Sequence, residues 1–510
     1  MGVIFNRVVK NATQFPDKLA IVEHCGETLS YAQLLSSIEK ILNFFDKVIK
    51  PRNSRVAICM QEGINLPITV IALNGLFCPI IPINPGFKPK QINNLLNSVD
   101  ADVILIDQST AHLAKELNDG VLVIDISLSI DTYINKTIED YITSDYMNYD
   151  QFLITLSSGS TGNPKPVIYS EQNKIDRSKQ AVQLFNVSQE DIILCASPFF
   201  HSLGQRLTLL PLLLGATLIQ VNRFSGQNWC EAVFNNKVTF TIPVSSHLHE
   251  LVDIFLNSSD RLKSLRCIVS SSAAIDFEVK KQLINFLDCD FHEMYGASEV
   301  ATASNLDKKK LMLKLNSVGK PCPGVEIKIF DKNKNNSDVN QLGQIGVKSP
   351  LKFSGYYQLP ELTKLAFHEG YFLTGDLGYL DEDNYLYFVD RMNDIIITGG
   401  MNIYPSDIES VILENPKVSS CIVLGINDSY LVEVPVAVLI SSEDERLIES
   451  ELRLILKQRL AAYQLPMKFF FKEKLPLNAS GKIDKVSIRA ELNALNLDLS
   501  SKLRSLMNYV

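Results

Sequence analysis

The chain has 510 residues, of which 46% are hydrophobic and 21% charged, which excludes wholesale disorder and points to more than one domain. Lys and Arg number 49 against 57 Asp and Glu, a net charge of −8, so the composition leaves no electrostatic footprint for nucleic acid. Glycine is sparse, at 24 residues, so the places where it gathers are informative.

The first residues, Met1 to Lys10, carry Arg7 and Lys10 and no apolar core of secretory length. The nine cysteines form no CxxC pair, and several sit in apolar runs. That pattern predicts reduced, buried thiols and a cytoplasmic protein without a disulfide framework. Val56 to Met60, Val103 to Asp107, Val121 to Ile124 and Phe152 to Thr155 read as buried strands, and Pro89 to Ser98 has helical spacing. The 25 residues from Gly63 to Phe87 hold no charge and are long enough to span a bilayer. Four prolines and three asparagines inside them argue against a transmembrane segment. They predict a buried helix from about Leu66 and a short buried strand over Phe77 to Ile83.

Strands alternating with helices predict an α/β fold, a large N-terminal domain of parallel sheets covered by helices. Residues 331–343 are polar and Asn-rich and read as a loop. After Asp390 the texture changes to strands (Ser420 to Leu424, Val434 to Ile440, Lys468 to Phe471) and amphipathic helices (Asp407 to Glu414, Glu443 to Ala461). This predicts a small α+β C-terminal domain.

The strongest local signal is Leu156-Ser157-Ser158-Gly159-Ser160-Thr161-Gly162-Asn163-Pro164-Lys165, directly after a predicted strand. Its glycines and hydroxyls supply converging N–H and O–H donors, and Lys165 adds positive charge, as phosphate oxygens require. The Walker spacing GxxxxGK[ST] does not fit it. On composition alone a flexible Ser/Gly turn explains the segment equally well.

This loop resembles the phosphate-binding signature of the adenylate-forming superfamily, which includes acyl- and aryl-CoA synthetases, peptide-synthetase adenylation domains and beetle luciferases. The usual pattern closes Pro-Lys-Gly, whereas this chain has Pro164-Lys165-Pro166, which stiffens the exit and removes a backbone donor. Further segments resemble that superfamily's motifs in its order: Ile83-Asn84-Pro85, Ser197 to Gly204, Tyr295-Gly296-Ala297-Ser298-Glu299, Thr374-Gly375-Asp376, Asp390 to Asp394, Gly399 to Pro405 and Leu477 to Asp484. The likeness is closest to the acyl- and aryl-acid–CoA ligases.

The resemblance implies an ATP-dependent reaction in two halves. A carboxylate attacks the α-phosphate to give an acyl-adenylate and pyrophosphate; a thiol then takes the acyl group and AMP leaves. Lys165 with Ser158, Gly159, Ser160, Thr161 and Gly162 would hold the departing phosphates, and Glu299 would hold Mg²⁺. Tyr295, Gly296 and Ser298, with Ser272 and Ala273, would line the adenine site. Asp376 would take the ribose hydroxyls, and Arg391 would reach ribose or phosphate. Lys482 would be the catalytic lysine brought to the carboxylate and α-phosphate. Asn393 would be the hinge between residues 1–392, the AMP-binding domain, and 393–510, a mobile lid. Gly399 and Gly400 would let a pantetheine arm pass close to the backbone.

His201 stands where amino-acid-activating members place an Asp, so an α-amino acid substrate is disfavoured. The partners implied are a small carboxylic acid and coenzyme A, with a carrier-protein phosphopantetheine as the alternative acceptor, in a monomer or homodimer. A non-catalytic nucleotide-binding protein of the same fold is the rival from another class, motivated by Pro166 and Asn393. Gln205, Ser270 and Ser271 are further candidates for the acid pocket or its adenine side, and Trp229 reads as packing.

Overall fold

The computed structural model describes every residue except 1, 25, 53, 118–119, 128–149, 158–164, 258, 272–274, 276, 399–400, 429–430, 478–482, 496, 498 and 500–510. The chain forms two compact units: Met1–Ile327 with Val347–Phe372, and Lys328–Gly346 with Leu373–Val510.

The first unit is α/β. Among the described residues, one of its sheets has seven strands, with a parallel core of Leu153–Ser157, Ile80–Pro82, Val56–Cys59, Val103–Ile106 and Leu122–Asp125. The strands Val56–Cys59 and Val103–Ile106 are buried at every residue, as expected where helices cover both faces. That is why the sequence shows them as unbroken apolar runs. A second sheet has nine strands and a parallel core of Leu19–Glu23, Thr217–Gln220, Ile192–Cys195, Phe240–Thr241, Cys267–Ser270 and Asp290–Ala297.

The uncharged stretch forms the helix Asn65–Gly75, nearly all of it buried, followed by Ile80–Pro82. Apolar side chains all round suit a core helix, and 11 residues are too few to cross a bilayer. Among the described residues no helix is long and apolar enough for that role. A polar knot joins three helices here. Glu171, which opens the helix Glu171–Phe185, accepts the Ile4 N–H at 2.8 Å and the Asn74 amide at 2.9 Å. Asn74 in turn accepts the Phe5 N–H at 2.8 Å. The helix Val3–Gln14 has no side-chain cap of its own, so these two groups satisfy its first N–H donors. The eight described cysteines are free and buried.

The second unit is α+β. In a long antiparallel pair, Val418–Asp428 lies beside Val432–Ser441, and Lys468–Phe471 and Ile396–Thr398 both pair with Val432–Ser441, Ile396–Thr398 pairing in turn with Met401–Ile403. Residues from the helices Pro405–Leu413 and Glu445–Arg459 complete one apolar cluster, around Val423 and Ala437. Those of Lys485–Ala494, a helix the sequence reading did not foresee, complete another around Val436 and Val438. The strand Tyr371–Leu380, which enters this unit at Leu373, pairs antiparallel with Leu386–Arg391.

Candidate active site

The phosphate-loop candidates Ser158, Gly159, Ser160, Thr161 and Gly162 lie outside the described residues, but both ends of the loop are fixed. Leu153–Ser157 and Lys165–Tyr169 are antiparallel strands, with Ser157 opposite Lys165 and Leu156 opposite Pro166. The two strands that flank the segment are therefore neighbours in one sheet. Pro166 lies inside a strand, where its carbonyl accepts the Tyr357 N–H at 2.8 Å. The Lys165 ammonium sits 5.5 Å from the centre of the Tyr356 ring.

The strand Asp290–Ala297 carries Tyr295 and Gly296 and reverses through residues 298–300 into Ala301–Asp307. A Cβ on Gly296 would stand 2.0 Å from the Ala301 carbonyl oxygen, so that position admits only glycine. Glu299 occupies this tight turn. Its Oε1 accepts the Tyr356 hydroxyl at 3.0 Å, and its carbonyl accepts the Phe353 N–H at 2.6 Å. The neighbouring Ser298 carbonyl accepts the buried Tyr169 hydroxyl at 2.9 Å. Burial, helped by the Glu299 charge, pushes the Tyr356 phenol far up, which keeps it a proton donor. Lys165 and Glu299 thus bracket one tyrosine.

Among the described residues no three His, Cys, Asp or Glu side chains gather into a metal cage. A single half-buried carboxylate with one oxygen already oriented fits Mg²⁺, which takes most of its ligands from phosphates and water.

The Ser197-to-Gly204 motif joins the strand Ile192–Cys195 to the helix Ser202–Leu214, with His201 at the helix start. His201 is half-buried and meets Phe200 edge-on at 4.5 Å. A Cβ on Gly204 would lie 2.1 Å from the Pro198 carbonyl oxygen, so the loop closes tightly over the helix. Glu62 supports it from below: its carboxylate accepts the Phe199 N–H at 2.6 Å and the Gln220 amide at 3.1 Å. Burial of this carboxylate pushes it up to about 7, although the Phe199 N–H pulls the other way. Gln205, one turn on, is fully buried; its amide donates to Thr155 Oγ1 at 2.9 Å and its carbonyl accepts Lys174 at 2.6 Å. Ser270 is buried at the end of its strand, while Ser272 and Ala273 lie outside the described residues. Trp229 is buried edge-on to Phe255, as packing.

In the second unit the hairpin register sets Asp376 opposite Arg391, and Arg391 Nε reaches Asp376 Oδ1 at 3.2 Å. Asp376 is buried while Arg391 is exposed. Gly375 adopts φ +77°, the left-handed region, to present it. Asp390 and Asp394 are the acidic neighbours of Arg391 in sequence. Asp390 instead accepts the backbone N–H groups of Arg391 at 2.7 Å and Ser406 at 3.3 Å. Asp394 pairs with Lys485 at 3.2 Å. Gly399, Gly400 and Lys482 lie outside the described residues, and Asn393 falls in a single 3₁₀ turn, Met392–Asp394.

Residues 8–357 match the AMP-binding enzyme family, and residues 407–482 match the AMP-binding enzyme C-terminal domain. The chain belongs to the AMP-binding enzyme family. Among curated members of known name, it is 27% identical to a 2-succinylbenzoate–CoA ligase of Bacillus licheniformis over 94% of this chain and 98% of the other. It is 28% identical to the Bacillus subtilis ligase of the same name, over 94% and 96%. A solved o-succinylbenzoate CoA synthetase from Bacillus subtilis, in complex with its acyl-adenylate intermediate, superposes with a TM-score of 0.84 at 27% identity, covering 95% of this chain and 98% of that one. The same synthetase has been solved with ATP and a magnesium ion, and superposes at 0.82 with 27% identity over 94% and 98%. An amide bond synthetase from Marinactinospora thermotolerans, 22% identical over 96% and 99% with a TM-score of 0.83, shares the fold.

Motif reading missed Tyr169, Tyr356, Glu62 and Lys485 in this family member. Tyr356 lies far in sequence from Glu299 and meets it through the pairing of Gly355–Tyr356 with Val167–Ile168. Glu62 was visible only as a charge directly before the uncharged stretch.

Proposed function

We propose that this chain is an ATP-dependent, AMP-forming carboxylic acid–CoA ligase acting in the cytoplasm, with 2-succinylbenzoate the first acid to test. The carboxylate attacks the α-phosphate of ATP, forming the acyl-adenylate and releasing pyrophosphate. The CoA thiol then attacks the acyl carbon and AMP departs. The observation that carries this reading is the bracket in the first unit, Lys165 on one side of Tyr356 and the Glu299 carboxylate on the other. Adenylation needs a cation for the leaving phosphates and a carboxylate for a phosphate-bound metal, close together on fixed strands.

In this reading Lys165 and the loop hydroxyls Ser158, Ser160 and Thr161, with Gly159 and Gly162, hold the departing phosphates. Glu299 holds Mg²⁺, which when bound neutralises phosphate charge. Tyr295, Gly296, Ser298, Ser272 and Ala273 line the adenine, Asp376 and Arg391 take the ribose, and His201 lines the acid pocket. Residues 1–392 bind nucleotide and acid. Residues 393–510 turn about Asn393, bringing Lys482 for adenylation and Gly399 and Gly400 for the pantetheine arm. Buried free thiols suit a reducing compartment.

The test is pyrophosphate release with ATP, Mg²⁺ and a panel of aliphatic, aryl and keto acids, followed by thioester formation with CoA. ATP binding without pyrophosphate release for any acid defeats the reading. Lys482→Ala is expected to slow adenylation far more than thiolation of a supplied acyl-adenylate; equal losses remove the role given to Lys482.

A further inference from the structure

Three cations meet in the interior of the first unit beside the His201 helix. Lys174 and Arg177 are 4% and 3% exposed, and both lie over the Tyr169 ring, at 3.7 and 4.6 Å from its centre. Arg206, half-buried on the facing helix, donates to Thr302 Oγ1 at 3.0 Å. Among the described residues no ion pair joins any of the three to a carboxylate. Glu299 is the one carboxylate whose charge reaches Arg177. Lys174 donates to the neutral Gln205, and Arg177 Nη2 donates to the Leu351 carbonyl at 2.9 Å, with the neutral Tyr169 beside the guanidinium.

Such an arrangement is costly. Lys174 and Arg177 have lost most of their water, Arg206 part of its own, and like charges repel. Burial first, then Arg177 and Arg206, hold the Lys174 ammonium well below the usual lysine range. Burial, and then Arg177, pulls Arg206 down to about 10. A purely structural cluster would be expected to carry counter-charges, because a buried ion without a partner is strongly destabilising.

The three side chains line one narrow recess together with Ser202 and Gln205. Its inner space admits a group about the size of one water, room for a single oxygen of an anion whose remaining atoms stay at the mouth. Ser202 and Gln205 belong to the helix turn that His201 opens, where the acid pocket was expected.

We propose that this recess binds the second carboxylate of a dicarboxylic substrate, with Lys174, Arg177 and Arg206 as its counter-ions. The inference rests on the acid-ligase reading and names its substrate class: acids with one carboxylate to activate and another left ionised. Basic side chains gathered in a narrow recess distinguish a carboxylate from its uncharged isostere more sharply than any apolar pocket distinguishes chain length.

The experiment compares matched pairs, 2-succinylbenzoate and adipate, each against its own monoamides, in two assays on the full chain. In pyrophosphate release, kcat/KM for a diacid should exceed that for the better monoamide by on the order of 10²-fold. Arg206→Met, which keeps an unbranched apolar stem and removes the charge, should collapse that ratio towards one. In thermal melts without ATP, the diacid should raise the Tm of the unaltered protein and not that of Arg206→Met. If Arg206→Met does not fold, Lys174→Gln serves in both assays. Equal use of diacid and monoamide, or a Tm rise that survives the substitution, overturns the proposal. So does a chloride titration that reproduces the Tm rise, which would make the site one for an inorganic anion, and so does the absence of any Tm rise, which would leave water alone in the recess. A diacid-dependent Tm rise with no pyrophosphate from any acid would sustain the recess and defeat the ligase reading.

Discussion

The Tyr356 hydroxyl donates to Glu299 Oε1 at 3.0 Å, from a ring that faces the Lys165 ammonium. This one phenol orients the proposed magnesium carboxylate and stands beside the proposed phosphate lysine. Tyr356→Phe should leave the ring in place and remove the donor. A hydrogen bond to a charged acceptor contributes about 1.5–3 kcal/mol, so the Mg²⁺ concentration for half-maximal pyrophosphate release should rise about tenfold. The Tm should fall only slightly. A variant with an unshifted Mg²⁺ requirement would show that Tyr356 serves packing alone.

Asp376 and Arg391 are tied by hairpin register, which aims a buried carboxylate along an exposed guanidinium. Asp376→Asn keeps the shape and loses the charge, and it should raise KM for ATP by about tenfold or more, with a smaller change in the KM for the acid. Arg391→Met should raise the same constant less, because its side chain is solvated and its contact with Asp376 is screened. Steady-state kinetics with ATP and acid varied in turn decide this; an acid KM that moves as much as the ATP KM counts against the ribose assignment.

What the sequence disclosed follows a physical division. Val56–Cys59 and Val103–Ile106 were legible because burial on both faces writes an unbroken apolar run. Gly296 and Gly204 were legible as motif members because backbone packs where their Cβ atoms would be. The turn at Glu299 was not, since it depends on Ala301 at φ +65°, a left-handed residue that carries no glycine to announce it. The partner of Arg391 was hidden because hairpin register, not proximity in sequence, chose Asp376. Lys174 and Arg177 carry no motif, and charge patterning cannot say that a second helix covers them.

Glu62 is half-buried against the His201 loop, and the water its carboxylate has lost lifts it from an ordinary 4.5 to about 7. A carboxyl with a raised pKa in the folded state holds its proton there while the unfolded chain has lost it. Stability is therefore greatest below about pH 4.5 for this group and is lost as pH rises towards about 7. Glu62→Gln keeps an acceptor for the Phe199 N–H and removes the charge. It should raise the Tm above about pH 7 and gain nothing near pH 4.5, on that linkage argument. Parallel melts at the two ends of the window measure it, and an equal gain at both ends would exclude titration as the cause.

Lys485 lies three residues beyond Lys482, and its ammonium pairs with Asp394 at 3.2 Å, just past the proposed pivot at Asn393. Burial works against its charge, but Glu409, Asp394 and Asp390 outweigh it and hold Lys485 above the ordinary lysine value of 10.5. Glu409 faces the same ammonium and is also bound by the Val423 N–H at 2.7 Å, so removing the lysine strands a buried carboxyl. Breaking a buried pair costs about 3–5 kcal/mol, and partial exposure of this one reduces that to about 2–3 kcal/mol for Lys485→Met. The sign with pH is fixed: a raised lysine pKa gives stability that is present below 10.5 and is lost as pH rises through the folded value. The unaltered protein should therefore lose stability on the alkaline side, and Lys485→Met, already lower at neutral pH, should lack that decline. Because the same lysine anchors the start of the helix that follows the Lys482 loop, adenylation should slow while ATP affinity holds. Hydrogen exchange across residues 405–413 and 485–494 would locate the loosening, and full protection there in Lys485→Met would refute the anchor.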